Sequence, residues 1–139
     1  MPPLRTPQLH FENAVGRLLE HPDGYAVFAY KPGKRRLADL QALLTRTRTL
    51  LERQQWHRML GDQRLMAPFT AEESAWIVDY WLDAAYQRPG GLYGAVVLAH
   101  DVFARLSMDQ VMHEARASAL TYRLFENEEN AAAWLRQLA

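Results

Sequence analysis

Leu120-Thr-Tyr-Arg-Leu-Phe-Glu126, followed by Asn127-Glu-Glu-Asn-Ala-Ala-Ala-Trp-Leu-Arg-Gln-Leu138, is the stretch of sequence that decides the fold. The first part has the pattern of a short β-strand. The second part has an asparagine in the favoured N-cap position, two glutamates in the first turn and an apolar stripe, which together predict an amphipathic helix. A strand followed directly by a helix predicts an α/β domain, in which Trp134 is expected to be buried against the sheet.

The same alternation extends upstream. Extended segments on both sides of the turn His21-Pro-Asp-Gly24 predict an opening hairpin, with Tyr25–Tyr30 as its second strand. Leucines three and four residues apart predict a helix over residues 37–51, and residues 56–61 form a weaker strand candidate. The continuously apolar residues 92–99 predict a central parallel strand buried on both faces. We therefore expect a mixed β-sheet, opened by a hairpin and then built from alternating helices and strands, with about four helices covering it.

Two capping boxes predict where helices begin. Thr70-Ala-Glu-Glu73 can cap a second helix, because the hydroxyl and the glutamate can each accept a backbone amide of the other residue. Proline and glycine at Pro89-Gly-Gly91 predict the end of that helix. Ser107-Met-Asp-Gln110 has the same spacing and predicts the start of a third helix.

Composition limits the classes of protein and of site. The chain has 139 residues, the size of one domain, and its 16 basic and 16 acidic residues cancel. It contains no cysteine, which excludes disulfides and thiolate metal sites. The N-terminus, Met-Pro-Pro-Leu-Arg-Thr-Pro7, has no apolar run, so we expect no signal peptide, and no stretch approaches the ~18 apolar residues needed to span a membrane. We therefore expect a cytoplasmic protein without cofactor or metal, with a flexible tail over residues 1–8 and a single domain over residues 9–139.

Four segments carry a family resemblance. Residues 59–64, Met-Leu-Gly-Asp-Gln-Arg, resemble a strand that ends in an Asp-x-Arg turn, and residues 70–81 resemble an acidic second helix that bears tryptophans. Residues 95–108 resemble a central strand with its following helix, and residues 122–135 a closing strand and helix. Together these segments resemble the bacterial STAS-like single-domain family, which is grouped with anti-sigma-factor antagonists.

The resemblance implies a mixed sheet of roughly four or five strands flanked by helices. It also implies binding and regulation rather than catalysis. Antagonists of this family carry a phosphorylatable serine in an Asp-Ser-Ser-Gly-like turn before the second helix. The corresponding segment here, residues 62–70, lacks that serine motif.

Asp62 and Arg64 follow a predicted strand at the sheet edge where α/β proteins commonly bind ligands. They could anchor a small ligand or a partner protein, or they could form a local ion pair that holds the turn. Thr70 could be a regulated hydroxyl, by analogy with the phosphorylated serine. Alternatively, it is a plain N-cap.

Each of two further groups of polar residues allows a functional and a purely structural interpretation. His100-Asp101 could act as an acid–base dyad, or it could be a loop histidine beside the first residue of a helix. No nucleophile or metal-ligand spacing accompanies this pair. The densest cluster of cations consists of Lys31, Lys34, Arg35 and Arg36. It could bind anions, anionic lipid or an acidic partner, or it could form a solvated turn.

The second predicted helix carries more aromatic surface than one inward stripe requires, in Trp76, Tyr80 and Trp81. The surplus could line a ligand cavity or a dimer interface, or it could pack as a second layer of the core. We expect a homodimer through this helix or through the opening hairpin.

The favoured interpretation is a non-enzymatic, regulatory STAS-like domain that binds a protein partner or a small, partly apolar ligand. Its expected site residues are Asp62, Arg64, Thr70, Trp76, Tyr80 and Trp81. One alternative is a small enzyme whose cleft uses Asp62, or His100 with Asp101. The other alternative is a module that binds anions or a membrane surface through residues 31–36. Nothing in the sequence indicates specific binding of nucleic acid.

Overall fold

Strands and helices alternate along the described part of the chain, which is residues 6–83, 91–114 and 120–139 of a computed structural model. This part contains six strands and four helices. The first strand begins at Gln8, which the sequence analysis assigned to the flexible tail. In chain order they are β1 (Gln8–Glu12), β2 (Gly16–His21), β3 (Tyr25–Tyr30), α1 (Leu37–Gln54), β4 (Arg58–Asp62), α2 (Ala71–Trp76, continued by a π-helical segment at Ile77–Leu82), β5 (Leu92–Val97), α3 (Val102–Glu114), β6 (Leu120–Phe125) and α4 (Glu128–Gln137).

The strands form one mixed sheet in the order β1-β2-β3-β4-β5-β6. The first three strands pair antiparallel, and β3 to β6 pair parallel. Between β2 and β3 the turn reaches Gly24, whose φ of 88° is a conformation that glycine adopts at little cost. The predicted α/β fold is confirmed, with a hairpin opening the mixed sheet, although the sheet has more strands than the family resemblance implied.

The two faces of the sheet are covered differently. Right-handed connections between neighbouring parallel strands carry α1, α2 and α3 to the same face, where the core includes Leu18, Phe28 and Met59. Ala131 and Leu135 of α4 pack on the opposite face, against a smaller cluster made of Tyr25, Val27, Leu60, Ala95 and Val97. These two surfaces of the sheet are called the three-helix face and the α4 face below.

The interior position of β5 confirms the prediction of a buried central strand. It lies between β4 and β6, and its neighbouring residues Val96 and Val97 are buried although their side chains point to opposite faces. The expectation that Trp134 is largely buried against the sheet is confirmed, although part of the side chain stays exposed. Its ring contacts Tyr93 and Phe125, with centroids 6.4 and 5.8 Å away. Among the described helices α4 alone covers this face, and the rest of the indole ring remains in contact with solvent.

One predicted helix start is confirmed and the other is wrong. Thr70 caps α2 through the predicted capping box. Ser107, by contrast, lies inside α3, where its hydroxyl donates to the carbonyl of Ala104 at 2.8 Å. The helix begins earlier because the Asp101 carboxylate accepts hydrogen bonds from the amides of Phe103, at 2.7 Å, and Ala104, at 3.3 Å.

The second helix changes its hydrogen-bonding register after Trp76. A π-helix turns through a smaller angle per residue than an α-helix, because its hydrogen bonds join residues five apart. The segment Ile77–Leu82 consequently buries Trp81 and leaves Tyr80 in solvent. The predicted end of this helix at Pro89 lies outside the described residues. Within the described ranges, no helix combines the length and the apolar character needed to cross a membrane.

Candidate functional site

An open cleft of about 420 Å³ lies at the carboxyl edge of the sheet, beside the ends of β3 and β4. In the sheet register Asp62 lies opposite Ala29, and Ala29 lies opposite Arg17. Val27 and Leu60 precede these residues by two positions and pack under α4, so the cleft opens on the α4 face. Its lining consists of Arg17, Ala29, Tyr30, Lys31, Asp62, Arg64, Leu65 and His100.

Asp62 and Arg64 lie together in this cleft as a bidentate ion pair. The guanidinium donates from Nε to Oδ1 at 2.9 Å and from Nη2 to Oδ2 at 2.7 Å, and the backbone amide of Arg64 donates to Oδ1 at 3.1 Å. The Arg64 side chain is nevertheless 39% exposed. Among the residues that the structure describes, its Nη1 has no hydrogen-bond partner. The pair therefore holds the turn and also presents an oriented guanidinium to the cleft.

A second group of charges lines the side of the cleft formed by the hairpin. Lys31 Nζ lies 2.8 Å from the carboxylate of Glu12, and Arg17 donates from Nε to the same carboxylate at 3.2 Å. The two cationic side chains are 36% and 60% exposed. The cleft thus has three cations, and the two carboxylates closest to them are Glu12 and Asp62.

Both carboxylates are held ionised by neighbouring cations. Burial opposes the ionisation of Asp62, but the hydrogen bonds from Arg64 outweigh it and keep the pKa of Asp62 below its ordinary value. A hydrogen bond from Lys31 lowers the pKa of Glu12. A carboxylate with a lowered pKa accepts protons poorly at neutral pH, so Asp62 is suited to orienting Arg64 rather than to general-base catalysis.

His100 also lines the cleft, but among the described residues no side-chain hydrogen bond or ion pair joins it to Asp101. The Asp101 carboxylate caps α3, as the plain structural reading of this residue predicted. The His100 amide donates to the carbonyl of Arg64 at 3.0 Å and fixes the turn after β4. In residues 6–83, 91–114 and 120–139, no three acidic or histidine side chains come together to hold a metal ion. The arrangement favours recognition of an anion over acid–base catalysis.

The cations predicted as one anion-binding cluster do not share a surface. Lys31 lines the cleft, whereas Lys34 and Arg36 are exposed just before α1. The Arg35 side chain is only 3% exposed, and it donates to both carboxylate oxygens of Glu73, at 2.8 and 2.9 Å. Arg35 is therefore part of a buried ion pair and is unavailable to an external anion.

Glu73 links Thr70 to this ion pair. Thr70 Oγ1 accepts from the Glu73 amide at 3.1 Å, and the carboxylate accepts from the Thr70 amide at 2.9 Å. Arg35 also donates to the carbonyls of Ala67 and Pro68, at 2.9 Å each, so it joins the loops that precede α1 and α2. Burial opposes ionisation of Glu73, but the hydrogen bonds from Arg35 outweigh it and lower the pKa of Glu73. Thr70 is exposed and has the geometry of an N-cap.

Most of the aromatic surplus of the second helix belongs to the core. Trp81 is 5% exposed and donates from Nε1 to the carbonyl of Leu44 at 2.6 Å. Trp76 is half-buried and packs against the same core, whereas Tyr80 is 66% exposed. These three residues therefore do not form one ligand site. Among Trp76, Tyr80 and Trp81, only Tyr80 is largely exposed, and the homodimer expected through the second helix or the opening hairpin stays a prediction.

A small apolar cavity of about 40 Å³ lies between the three-helix face and the helices. It borders Tyr30, whose buried hydroxyl has no hydrogen-bond partner within the described part of the chain, and Gln63, whose amide donates to the weak acceptor Met108 Sδ at 3.2 Å. The volume accommodates about one to three water molecules. Since the sheet separates this cavity from the cleft, we do not count it as part of the candidate site.

Sequence reasoning missed half of the cleft. Arg17 lies on the hairpin and Glu12 on β1, both far along the chain from Asp62 and Arg64. The hairpin turn contained a signal for Arg17, because pairing His21 with Tyr25 brings it opposite Ala29, next to Lys31. Extending the register from the turn would therefore have placed three cations at one edge of the sheet.

Comparisons with known proteins give no relative from which a role could be transferred. No protein-family model, no curated protein and no solved structure matches this chain. A function can therefore be argued only from the geometry of the cleft and from the resemblance described above.

Proposed function

We propose that this chain is a non-enzymatic binding domain of the STAS-like kind, and that its site is the cleft at the carboxyl edge of the sheet. The ligand is a small, partly apolar molecule that binds through an anionic group. The observation that carries this proposal is the Arg64 guanidinium, which Asp62 orients and whose Nη1 has no partner among the described residues, in a cleft shared with Lys31 and Arg17. The regulatory role is supported only by the resemblance to STAS-like proteins.

An anion at this position would gain from an oriented donor. The guanidinium presents a planar fork that matches carboxylate and phosphate groups, and the hydrogen bonds that it donates to Asp62 reduce the entropy lost on binding. Ala29 and Leu65 supply apolar surface beside the cations. The exposed carboxylate of Glu128 lies 3.4 Å from Arg64 Nη2 and would compete with the ligand. Such an exposed pair is worth little, so a ligand can displace it.

The test is a calorimetric titration with phenyl phosphate, using the neutral benzyl alcohol as the matched ligand. Arg64→Gln should weaken phenyl phosphate binding about tenfold or more, because a hydrogen bond to a charged group is lost. Glu128→Gln should strengthen binding, because the competing carboxylate is removed. Lys34→Gln, which removes an exposed cation outside the cleft lining, should leave the affinity unchanged.

Two results would overturn the proposal. One is equal affinity of the wild-type protein for phenyl phosphate and benzyl alcohol, which would mean that the anionic group is not recognised. The other is equal weakening by Arg64→Gln and Lys34→Gln, which would mean that the protein attracts anions only through unspecific surface charge.

The geometry favours this function over the two alternatives. In the enzyme reading Asp62 would serve as a base, but its pKa is lowered and its oxygens accept from Arg64. The surface-binding reading needs the cations of residues 31–36 to converge, and Arg35 is instead paired with Glu73.

A further inference from the structure

A patch of exposed apolar side chains adjoins the cleft. Leu65 follows β4, and Val102, Phe103 and Leu106 lie in the first two turns of α3. Each of the four residues is between 58% and 68% exposed. A cluster of large apolar side chains in contact with water marks an interaction site in many soluble proteins. These four residues are called the α3 patch below.

Two hydrogen bonds connect the segment that borders the cleft with the start of α3. The His100 amide donates to the carbonyl of Arg64, at 3.0 Å, and the Phe69 amide donates to Ser107 Oγ, also at 3.0 Å. The segment from Arg64 to Phe69 therefore runs beside the first turns of α3, and Leu65 on this segment also lines the cleft. The surface changes from cationic at the cleft to apolar at α3.

We propose that the α3 patch docks an amphipathic helical segment of a partner protein, and that an acidic residue of that segment enters the cleft. This inference rests on the function proposed for the cleft. Leu106 lies four residues after Val102 and three after Phe103, so the three side chains cover adjoining positions on one side of α3, which suits the apolar stripe of a second helix. The cations of the adjacent cleft supply a complement for a carboxylate at one end of that helix.

The charges around the patch argue against two other occupants. Asp101 and Asp109 are exposed on the same helix, and their carboxylates would repel an anionic membrane surface. A second copy that paired through the same patch by two-fold symmetry would bring two cationic clefts towards each other. A helical segment whose acidic residue lies at the end next to the cleft avoids both obstacles, because its carboxylate faces Arg64, Lys31 and Arg17 while its apolar stripe faces α3.

The test starts with a displayed library of random peptides of about twelve residues, long enough to form three helical turns. The library is first depleted on Phe103→Ser protein and then selected on wild-type protein. Enriched peptides should carry apolar residues three and four apart and an acidic residue at one end. A synthetic peptide of the enriched sequence should bind Phe103→Ser and Arg64→Gln protein at least about tenfold more weakly than wild type.

Leu9→Ser is the matched control, because Leu9 is 57% exposed but lies on β1, outside the α3 patch and the cleft lining. This variant should bind the peptide as wild type does. Absence of enrichment would overturn the inference, as would peptides that bind Phe103→Ser protein and wild type equally.

Three further measurements separate the outcomes. Flotation with phosphatidylserine vesicles that is lost in Phe103→Ser would overturn the inference in favour of a membrane. A concentration-dependent dimer that is lost in the same variant would overturn it in favour of self-association. Phenyl phosphate binding should persist in Phe103→Ser, because that ligand tests the cleft alone. If wild-type protein binds phenyl phosphate but no peptide from the library, the docked segment is rejected and the proposed function still stands.

Discussion

At the scale of single residues, buried polar groups in this protein differ in whether they have a partner. Arg35 donates hydrogen bonds to the Glu73 carboxylate and to two backbone carbonyls, so both charged side chains have partners. Thr47 is fully buried and donates to the carbonyl of Leu43 at 2.9 Å. Tyr30 is equally deep, but its hydroxyl has no partner in the described structure, and burial raises the pKa of Tyr30. Removing a hydroxyl should therefore have opposite consequences at Thr47 and at Tyr30.

Tyr30→Phe is expected to leave the free energy of unfolding unchanged or to raise it by up to about 1 kcal/mol, because a buried hydroxyl without a partner carries a desolvation cost. Thr47→Val keeps the shape of the side chain but removes a satisfied hydroxyl, and it should lower the same free energy by about 1 kcal/mol. Urea denaturation of both variants checks the contrast. A loss of about 1 kcal/mol or more in Tyr30→Phe would mean that the hydroxyl has a partner after all.

At the scale of elements, the π-helical segment decides which aromatic residues belong to the core. Its register brings the Trp81 indole to the carbonyl of Leu44 on α1, and it leaves Tyr80 in solvent. The contact joins two helices across 37 positions of the chain. The segment thereby fixes α2 to α1 above the three-helix face.

Trp81→Phe is expected to lower the free energy of unfolding by about 2 kcal/mol or more, because it removes a buried hydrogen bond and leaves space in the core. Tyr80→Phe, one residue earlier, should change it by less than about 0.5 kcal/mol, because Tyr80 is exposed. Thermal unfolding followed by circular dichroism measures both. Losses of similar size in the two variants would contradict the register that we describe.

Local sequence patterns predicted most elements but not the contacts that cross the chain. The turn at Gly24, the capping box at Thr70 and the apolar run of β5 each have a cause within a few residues. The π-helical register is not signalled by the local spacing, which grouped Tyr80 with Trp81 as on an α-helix. In the same way, the sequence identified Asp62 and Arg64 by their position after a strand, whereas Arg17 required the register of β2 with β3 and Glu12 that of β1 with β2.

At the scale of the whole molecule, ionised carboxylates connect its parts. Glu73 joins the loops before α1 and α2, Asp62 holds the turn after β4, and Glu12 pairs with Lys31 across the hairpin. The pKa values of all three carboxylates lie below their ordinary values. A carboxylate whose pKa is lower in the folded state stabilises the protein above its unfolded pKa, and this stabilisation is lost as the pH falls through the folded pKa.

The free energy of unfolding should therefore decrease as the pH falls below the ordinary pKa of glutamate, 4.5. In Glu73→Gln the decrease should be shallower, because this variant lacks the buried group whose pKa is lowered. The exposed Glu129 has no ion pair within the described residues, so Glu129→Gln serves as the control and should follow the wild-type curve. Urea denaturation between neutral and acidic pH provides the measurement. Parallel curves for wild type and Glu73→Gln would contradict the role assigned to the Arg35–Glu73 pair.

The most direct test of the central claim is to map phenyl phosphate on the protein by amide chemical shifts in solution. We predict that the largest shifts occur at the residues around the ends of β3 and β4, namely Lys31, Asp62, Arg64, Leu65 and His100, and that they disappear in Arg64→Gln. The amides around Lys34 and Arg36 should remain unshifted. Shifts that concentrate on those exposed cations, or that persist in Arg64→Gln, would contradict the claim that the cleft at the carboxyl edge is the binding site.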